Sequence, residues 1–241
     1  MNGVRIFVPC DAAALSVGAD RVAAAIASEA AKRNVDIALV RNGSRGMFWL
    51  EPLVEVETAT GRVAYGPVAP DDVAGLFDAN FLHGGAHALY LGPTEEIIWL
   101  KRQQRLTFAR IGVIDPLSLD DYRAHGGFAG FEKARGMEPM AIVEEILASG
   151  LRGRGGAGFP AGIKWRTVLE AAGTQKYIVC NADEGDSGTY ADRMVMEGDP
   201  FMLIEGMAIA GLAVQATKGL VYIRSEYPHA ERTLRSALAV A

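Results

Sequence analysis

The chain has 241 residues, half of them hydrophobic, and carries 24 Lys and Arg against 29 Asp and Glu, a formal charge of −5. This acidic balance disfavours a nucleic-acid partner, because domains that bind nucleic acid usually present a basic face. Two cysteines, Cys10 and Cys180, are too few for a four-cysteine zinc or iron–sulfur site or for a secreted disulfide scaffold. No signal peptide or membrane insertion is predicted, since the most apolar stretch is shorter than the ~20 residues that a bilayer requires. We therefore expect a cytoplasmic α/β protein of about two domains.

The first part of the chain alternates short strand and helix patterns. The predicted elements are a strand at 4–8, an amphipathic helix at 20–32, a strand at 37–40, a hairpin of 53–57 with 62–65, and helices from Pro70 and from Thr94 through Leu106. The order β-α-β followed by β-β-α is typical of a thioredoxin-like domain. Because Asp115-Pro116 and Gly126-Gly127 interrupt the pattern, we expect a thioredoxin-like domain over residues 1–115 and a second domain over 116–241.

The second part again mixes helices and strands. The patterns predict a helix from Pro139 that ends at Gly150, a buried strand at 177–180, a long apolar helix from Pro200 to Ala216, a strand at 219–224 and a helix at 228–241. The sequence ends within that last helix without a capping residue. We therefore expect it to be the front piece of a longer polypeptide.

Residues 152–160, with the sequence RGRGGAGFP, form the strongest candidate binding motif. Four glycines in six positions expose backbone N–H groups to a flat or anionic ligand, and Arg152, Arg154 and Lys164 add positive charge suited to phosphate. The spacing G-x-G-x-x-G is present, but a Rossmann fingerprint requires a strand before it, whereas a helix is predicted there. We favour an anion-binding loop; a mobile surface loop with helix-capping glycines is the alternative.

The sequence NADEGD at 181–186 directly follows a buried strand. Ligands often bind beyond the carboxyl ends of strands, where carboxylates can hold ribose hydroxyls and an Asn amide can pair with a ring edge. A calcium loop is excluded, because Gly185 and Ser187 stand where oxygen ligands belong. A solvated acidic turn is the alternative. We expect this segment and the glycine-rich loop to face each other across one slot shaped for a planar heterocycle.

Other candidates are weaker. His83 and His87 have metal-like spacing, but the two glycines between them oppose the helix that would align both rings. Cys180 is interpreted as a core residue, and Cys10 lacks the partner of a C-x-x-C motif. We therefore expect no metal site.

Several motifs together resemble those of the FMN- and NADH-binding subunit of respiratory complex I and of related diaphorase subunits, which occur in NAD-reducing hydrogenases and NAD-dependent formate dehydrogenases. The motifs are Gly150–Pro160, Lys164-Trp165, Asn181–Glu184 and Asp192-Arg193. The likeness covers roughly residues 115–241. The N-terminal part, with Val40–Gly46 and Trp49–Pro52, looks most like the β subunit of molybdenum- or tungsten-dependent formate dehydrogenases. The resemblance thus implies an α/β fold in which a thioredoxin-like domain precedes the first part of a complex I-type FMN-binding domain.

The resemblance also implies the chemistry and the residues that serve it. Hydride would pass between nicotinamide and flavin, and electrons would then move singly through iron–sulfur clusters, so no side chain is nominated as catalytic. By motif match, FMN would be contacted by Gly153, Arg154, Gly155, Gly156 and Lys164. Its polar edge and ribityl chain would be held by Asn181, Asp183 and Glu184. Phe159 would stack on NAD(H), and Asp186 stands where relatives have a Glu that contacts NADH.

The resemblance further implies partners. A [4Fe–4S] cluster is expected only in a C-terminal part beyond this sequence. Iron–sulfur and Mo/W catalytic subunits are expected as partners, including a small [2Fe–2S] thioredoxin-like subunit. The thioredoxin-like domain of this chain lacks the four cluster cysteines, so we expect it to be a docking element. The function expected is that of the β subunit of an NAD⁺-reducing formate dehydrogenase. The alternatives are a diaphorase of a hydrogenase or of complex I, a non-catalytic scaffold, and a Rossmann dehydrogenase, which a helix before Gly153 would exclude.

Overall fold

The structure is a computed structural model and describes residues 3–241. The strands are β1 (Val4–Phe7), β2 (Ile37–Val40), β3 (Val54–Thr58), β4 (Gly61–Tyr65), β5 (Tyr90–Pro93), β6 (Tyr177–Ala182) and β7 (Lys218–Ile223). The helices are α1 (Ala12–Ser16), α2 (Ala19–Lys32), α3 (Val73–Asp78), α4 (Ile98–Lys101), α5 (Leu119–Ala124), α6 (Ala129–Arg135), α7 (Pro139–Ala148), α8 (Ala161–Glu170), α9 (Asp192–Gly198), α10 (Pro200–Val214) and α11 (Pro228–Val240).

The first sheet has the strand order β2-β1-β3-β4-β5. β1 and β2 run parallel, and α2 forms the crossover between them, while the β3–β4 hairpin adds antiparallel strands beside β1. Val22 and Ile26 on one face of α2 pack in the same buried cluster as Ile6 and Val56 of the sheet. This arrangement confirms the predicted thioredoxin-like fold. We call it, with its helices, the N-terminal unit.

Two predictions for the N-terminal unit need correction. The edge strand β5 was missed, because Gly92 and Pro93 are residues that disfavour strands. The helix predicted from Thr94 through Leu106 is wrong, since α4 ends at Lys101. The residues after it, Arg102 to Arg105, offer no apolar face to pack, and Leu106 is 88% exposed.

The second sheet consists of β6 and β7, which run parallel and pair from Tyr177 with Lys218 to Ala182 with Ile223. α9 and α10 lie between them in the chain, and α10 packs against both strands, so this part is a β-α-β unit. The predicted strands and the helices at α7, α10 and α11 are present, but the prediction that the first strand is buried is wrong, since Val179 of β6 is 61% exposed. α8 and α9 were not predicted; α8 starts directly after the glycine-rich loop and contains Gly162, a poor helix former. The α/β fold class is confirmed.

Residues 110–128 lie between the two sheets and contact both parts. Tyr122 of α5 is fully buried with Phe201 of α10, whereas the neighbouring Asp121 lies 3.4 Å from Arg5 of β1. The predicted boundary near residues 115–125 therefore falls on a packed segment, and the division at 115 stays a prediction.

None of the described helices is long and apolar enough to cross a membrane. Within residues 3–241, no group of three or more His, Cys, Asp or Glu side chains is placed to hold a metal ion.

Candidate functional site

Residues 152–160, which we call the glycine loop, form a closed loop between α7 and α8. Arg152 and Pro160 pair as an antiparallel bridge, and Gly153 N–H donates to the Phe159 carbonyl at 2.8 Å. The Arg152 Nε also donates to the Gly158 carbonyl at 2.6 Å. Arg152 thus holds the base of the loop together, while Arg154 at its tip stays exposed.

The main chain at the tip of the glycine loop is open. A Cβ placed on Gly155 or on Gly156 would meet no atom within 4 Å, and Gly156 has a left-handed φ of +82°. Space is therefore available for a ligand to approach the peptide groups directly. The ring of Phe159 is 45% exposed, and the Lys164 ammonium lies 5.8 Å from its centroid. The loop offers bare backbone, one aromatic face and cations.

The loop owes its position to a close contact between α7 and α8. A Cβ on Gly162 would lie 2.6 Å from Leu147 Cγ and 2.8 Å from the Leu147 backbone nitrogen. Only glycine lets the two helices approach so closely. Because α7 precedes the loop and α8 follows it, the strand that a Rossmann fingerprint requires is missing, and this alternative is excluded.

Residues 181–186, which we call the acidic tip, comprise the last two residues of β6 and the four residues that follow it. Asn181 Oδ1 accepts a hydrogen bond from Asp183 N at 3.0 Å, and Asp186 Oδ1 accepts one from Gly188 N at 3.1 Å. Asn181 and Asp186 are exposed and Asp183 is half-buried. These polar groups remain accessible at the edge of the sheet where ligands commonly bind in α/β proteins.

Glu184 differs from the other residues of the acidic tip. It is buried, has a left-handed φ of 41°, and accepts a hydrogen bond from Arg193 N at 2.7 Å. The Arg193 guanidinium lies 3.5 Å from its other oxygen. This placement argues against direct ligand contact by the Glu184 side chain, because its carboxylate is committed to the start of α9.

Four residues that shape the tip were not among the predicted site residues: Tyr190, Arg193, Arg224 and Tyr227. The Arg193 guanidinium lies between two rings, 3.9 Å from the centroid of Tyr190 and 4.4 Å from that of Tyr227. Tyr227 Oη donates to the Glu184 carbonyl at 2.7 Å, and Arg224 donates to the Gly185 carbonyl at 2.8 Å. Asp192-Arg193 belonged to the motif set, but the contacts of Tyr227 and Arg224 depend on β7 and α11 lying beside β6, which spacing along the chain does not reveal.

The acidic tip and the glycine loop belong to neighbouring elements. Six residues connect α8 to β6, and Trp165 of α8 lines a cavity of about 400 Å³ together with Ile178 and Cys180 of β6. Neither this cavity nor the larger one of about 870 Å³, on the α10–α11 side of the sheet, is lined by the loop or the tip. The slot between them stays a prediction.

A comparison with protein families identifies this part of the chain. Residues 146–241, which contain both the glycine loop and the acidic tip, match the model of the Nuo51 FMN-binding domain. These residues are therefore similar to that domain. The predicted resemblance is thereby confirmed, and FMN is the ligand named for the matched domain.

Known proteins resemble the same region. The chain is 52% identical over 138 residues to the NADP-reducing hydrogenase subunit HndC of Solidesulfovibrio fructosivorans, covering 57% of this chain and 28% of that protein. It is 44% identical over 128 residues to an NADH-quinone oxidoreductase subunit of Escherichia coli, covering 52% and 29%. A crystal structure of an NAD⁺-reducing [NiFe]-hydrogenase aligns with all of this chain and 41% of its own, at 23% identity and a TM-score of 0.46. The chain therefore spans less than a third of both curated relatives.

Proposed function

We propose that this chain is the front part of an FMN-dependent NAD(H) oxidoreductase subunit in a multi-subunit, cytoplasmic complex. The open main chain at Gly155 and Gly156 carries the proposal, because a planar cofactor needs close approach to peptide groups and a Cβ would fill that space. The match of residues 146–241 to the Nuo51 FMN-binding domain supports the identity of the ligand.

The residues of the two segments would divide the work of binding. Gly153, Gly155 and Gly156 would present N–H groups to FMN, while Arg154 and Lys164 would attract its phosphate. Asn181 and Asp183 would hold the polar groups of the ring and the ribityl chain. Phe159 would stack on NAD(H), with Asp186 at its ribose. Glu184 would act indirectly, since it fixes the tip to α9.

The flavin would supply the redox chemistry, exchanging hydride with NAD(H) and single electrons with iron–sulfur centres. The residues of this chain would then bind the flavin, orient it and balance its charge. This chemistry requires no proton donor or acceptor from its side chains. The cations near the glycine loop would favour an anionic cofactor. A nicotinamide or adenine ring could stack on the exposed face of Phe159.

At a finer level, we propose the β subunit of an NAD-dependent formate dehydrogenase. The N-terminal unit supports it, since its sequence resembles that subunit and lacks cluster cysteines. Electrons from a Mo/W subunit that oxidises formate would reach FMN through iron–sulfur centres, one of them in a small [2Fe–2S] thioredoxin-like partner. A hydrogenase diaphorase is the second candidate, favoured by the likeness to HndC. Reduction of NAD⁺ by the purified complex with formate, but not with H₂, would support the first candidate over the second.

Flavin retention tests the proposed site. In the full-length protein, Gly155→Leu is expected to weaken FMN binding at least tenfold, which corresponds to about 1.4 kcal/mol. Gly206→Leu is the matched control, because a Cβ on Gly206 also meets nothing within 4 Å and its φ is also not left-handed. Flavin content is read from absorbance and from fluorescence after release. Equal flavin content in both variants would contradict the site, and a wild-type protein that FMN cannot reconstitute would favour the non-catalytic scaffold.

A further inference from the structure

The N-terminal unit contacts residues 146–241, which we call the Nuo51 part, at the C-terminal end of α9. Glu197 Oε2 accepts a hydrogen bond from Ala12 N, the first residue of α1, at 2.7 Å. Two residues later, Asp199 Oδ2 accepts a hydrogen bond from Arg110 Nε at 2.8 Å. Both acidic residues are almost fully buried. Adjacent carboxylates at the end of one helix thus bind two separate segments from the first half of the chain.

The contact leaves no room for larger residues. A Cβ on Gly43 would lie 2.9 Å from Gly198 Cα, and a Cβ on Gly198 would lie 2.7 Å from Ile111 Cγ2. The two backbones therefore touch directly at Gly198. Such packing occurs only when the units are docked, so the groups around it experience a dry environment that release would remove.

Two carboxylates meet at the N-terminus of α1. Asp11 Oδ1 accepts from Ala13 N at 3.0 Å and from Ala14 N at 3.2 Å, while Glu197 takes the N–H of Ala12. The second oxygen of each carboxylate, Asp11 Oδ2 and Glu197 Oε1, is buried and has no hydrogen-bond partner among residues 3–241. A buried oxygen without a partner is costly if it carries charge.

The surrounding groups do not neutralise this pair of carboxylates. Arg193 on α9 attracts Glu197, but its guanidinium is shared with Glu184, which adds negative charge of its own. Burial raises the pKa of Glu197 to about 7, and the neighbouring Asp11 charge adds to the increase. Burial also raises the pKa of Asp11.

Further titratable groups line the same junction. The Asp11 charge helps to raise the pKa of Glu51. Burial raises the pKa of Cys10, Arg41 opposes this increase, and the Asp115 and Glu197 charges add to it. On α11, burial lowers the pKa of His229 and Arg232 adds to the effect, while the Cys10 backbone, Asp11 and Asp20 oppose it. Since His229 titrates in the opposite sense to Glu197, any test must isolate Glu197.

We propose that docking of the N-terminal unit on α9 is controlled by a proton, with Glu197 as the neutral acid in the docked state and ionised after release. Low pH therefore favours the docked state of the N-terminal unit. In the released state Glu197 would titrate near its ordinary value of 4.5, so the docked state binds the proton more tightly. Docking is therefore strongest below about pH 4.5 and weakens as the pH rises through about 7.

Cys10 provides a built-in reporter of docking. Its half-buried thiol is next to Asp11 in the chain and donates to the Arg41 carbonyl at 3.5 Å, and burial raises its pKa to about 12. Release would expose it to alkylation. Cys180, on β6 in the other part, serves as an internal reference when both thiols of the full-length protein are read by peptide mass spectrometry.

The decisive comparison is wild type against Glu197→Gln at pH 5.5 and 8.5. Glutamine keeps an oxygen for Ala12 N but cannot ionise, so at pH 8.5 Cys10 of the variant should react at least about tenfold more slowly than wild type. At pH 5.5 the two rates should differ much less, and Cys180 should be unaffected. Comparing the variants at one pH cancels the titration of His229 and of the thiol. Equal Cys10 rates at pH 8.5 would overturn the proposal.

Two more variants serve as a substitute for Glu197→Gln and as a control for unfolding of the N-terminal unit. Asp11→Asn keeps the cap of α1 and removes the charge next to Glu197. Like Glu197→Gln, it should slow Cys10 labelling at pH 8.5. It takes the place of Glu197→Gln if that variant fails to fold. Glu51→Gln removes a buried carboxyl that is hydrogen-bonded only within the N-terminal unit. If Glu51→Gln slows labelling as much as Glu197→Gln, the thiol reports unfolding of the unit, and the proposal is wrong.

Discussion

The Glu184 carboxylate accepts the backbone N–H of Arg193 at 2.7 Å and faces the guanidinium of the same residue at 3.5 Å. One side chain of the acidic tip thereby holds both the start of α9 and its first cation. α9 continues to Glu197 and Gly198, where the N-terminal unit docks. A single short helix thus joins the candidate cofactor site to the docking contact.

Replacement of Glu184 should destabilise the Nuo51 part. Glu184→Ala would leave the buried Arg193 without its carboxylate partner, a change that typically costs about 3–5 kcal/mol. The free energy of unfolding, measured in urea, should fall accordingly. Glu226→Ala is the control in the same region, since Glu226 pairs with Arg224 at the exposed surface and its loss should be barely measurable. Equal effects of the two changes would contradict the structural role of Glu184.

The α7–α8 crossing should not tolerate a methyl group at Gly162. Gly162→Ala would force a Cβ against Leu147 Cγ and its backbone nitrogen, and overpacking of this kind costs about 1–3 kcal/mol. The same substitution at Gly206, an open position in α10, should stabilise the helix by up to about 1 kcal/mol.

Thermal unfolding of both variants checks the sign of each effect. Leu147→Ala should rescue Gly162→Ala only in part, because it removes the Cγ contact and leaves the backbone contact in place. Complete rescue would mean that the side chain alone limits the approach of the helices.

Sequence patterns predicted the fold where periodicity was regular. The β3–β4 hairpin, α10 and α11 follow directly from alternating or helical apolar residues. α9 could not be predicted in this way, because its buried residues include Arg193 and Glu197, whose burial depends on partners far away in the chain. Likewise, the glycine loop was recognisable from composition, whereas the Tyr227 contact with Glu184 requires two elements that only the fold brings together.

The most enclosed ion pair of the N-terminal unit should depend on the shape of arginine. Arg45 binds Glu55 through two hydrogen bonds, from Nε at 2.9 Å and from Nη2 at 2.8 Å, with both side chains nearly inaccessible. Arg45→Met would leave the Glu55 charge buried with only Arg62 nearby, at a typical cost of about 3–5 kcal/mol. Arg45→Lys should also be destabilising, because an ammonium cannot form the same fork. Unfolding in urea measures both, and a neutral Arg45→Lys would contradict the need for the fork.

The stability of the N-terminal unit should fall as the pH rises. Burial raises the pKa of Glu51 from 4.5 to about 8, with the Asp11 charge contributing. The folded state therefore binds this proton more tightly than the unfolded state, so its contribution is complete below about pH 4.5 and is lost as the pH rises through about 8. Hydrogen exchange of the buried amides of β1 and β3, corrected for the intrinsic effect of pH, measures this dependence.

Glu51→Gln should remove most of that dependence. Its amide can still accept the Leu53 N–H and can donate to Ser44 Oγ, so the local contacts that Glu51 makes at 2.9 and 2.5 Å are preserved in neutral form. Glu57→Gln is the control, because Glu57 is partly exposed and pairs only loosely with Arg5 at 3.8 Å. If amide protection in Glu51→Gln declined with pH as steeply as in wild type, the loss of stability would have to come from another buried group, and Glu51 would be ionised in the folded protein throughout this range.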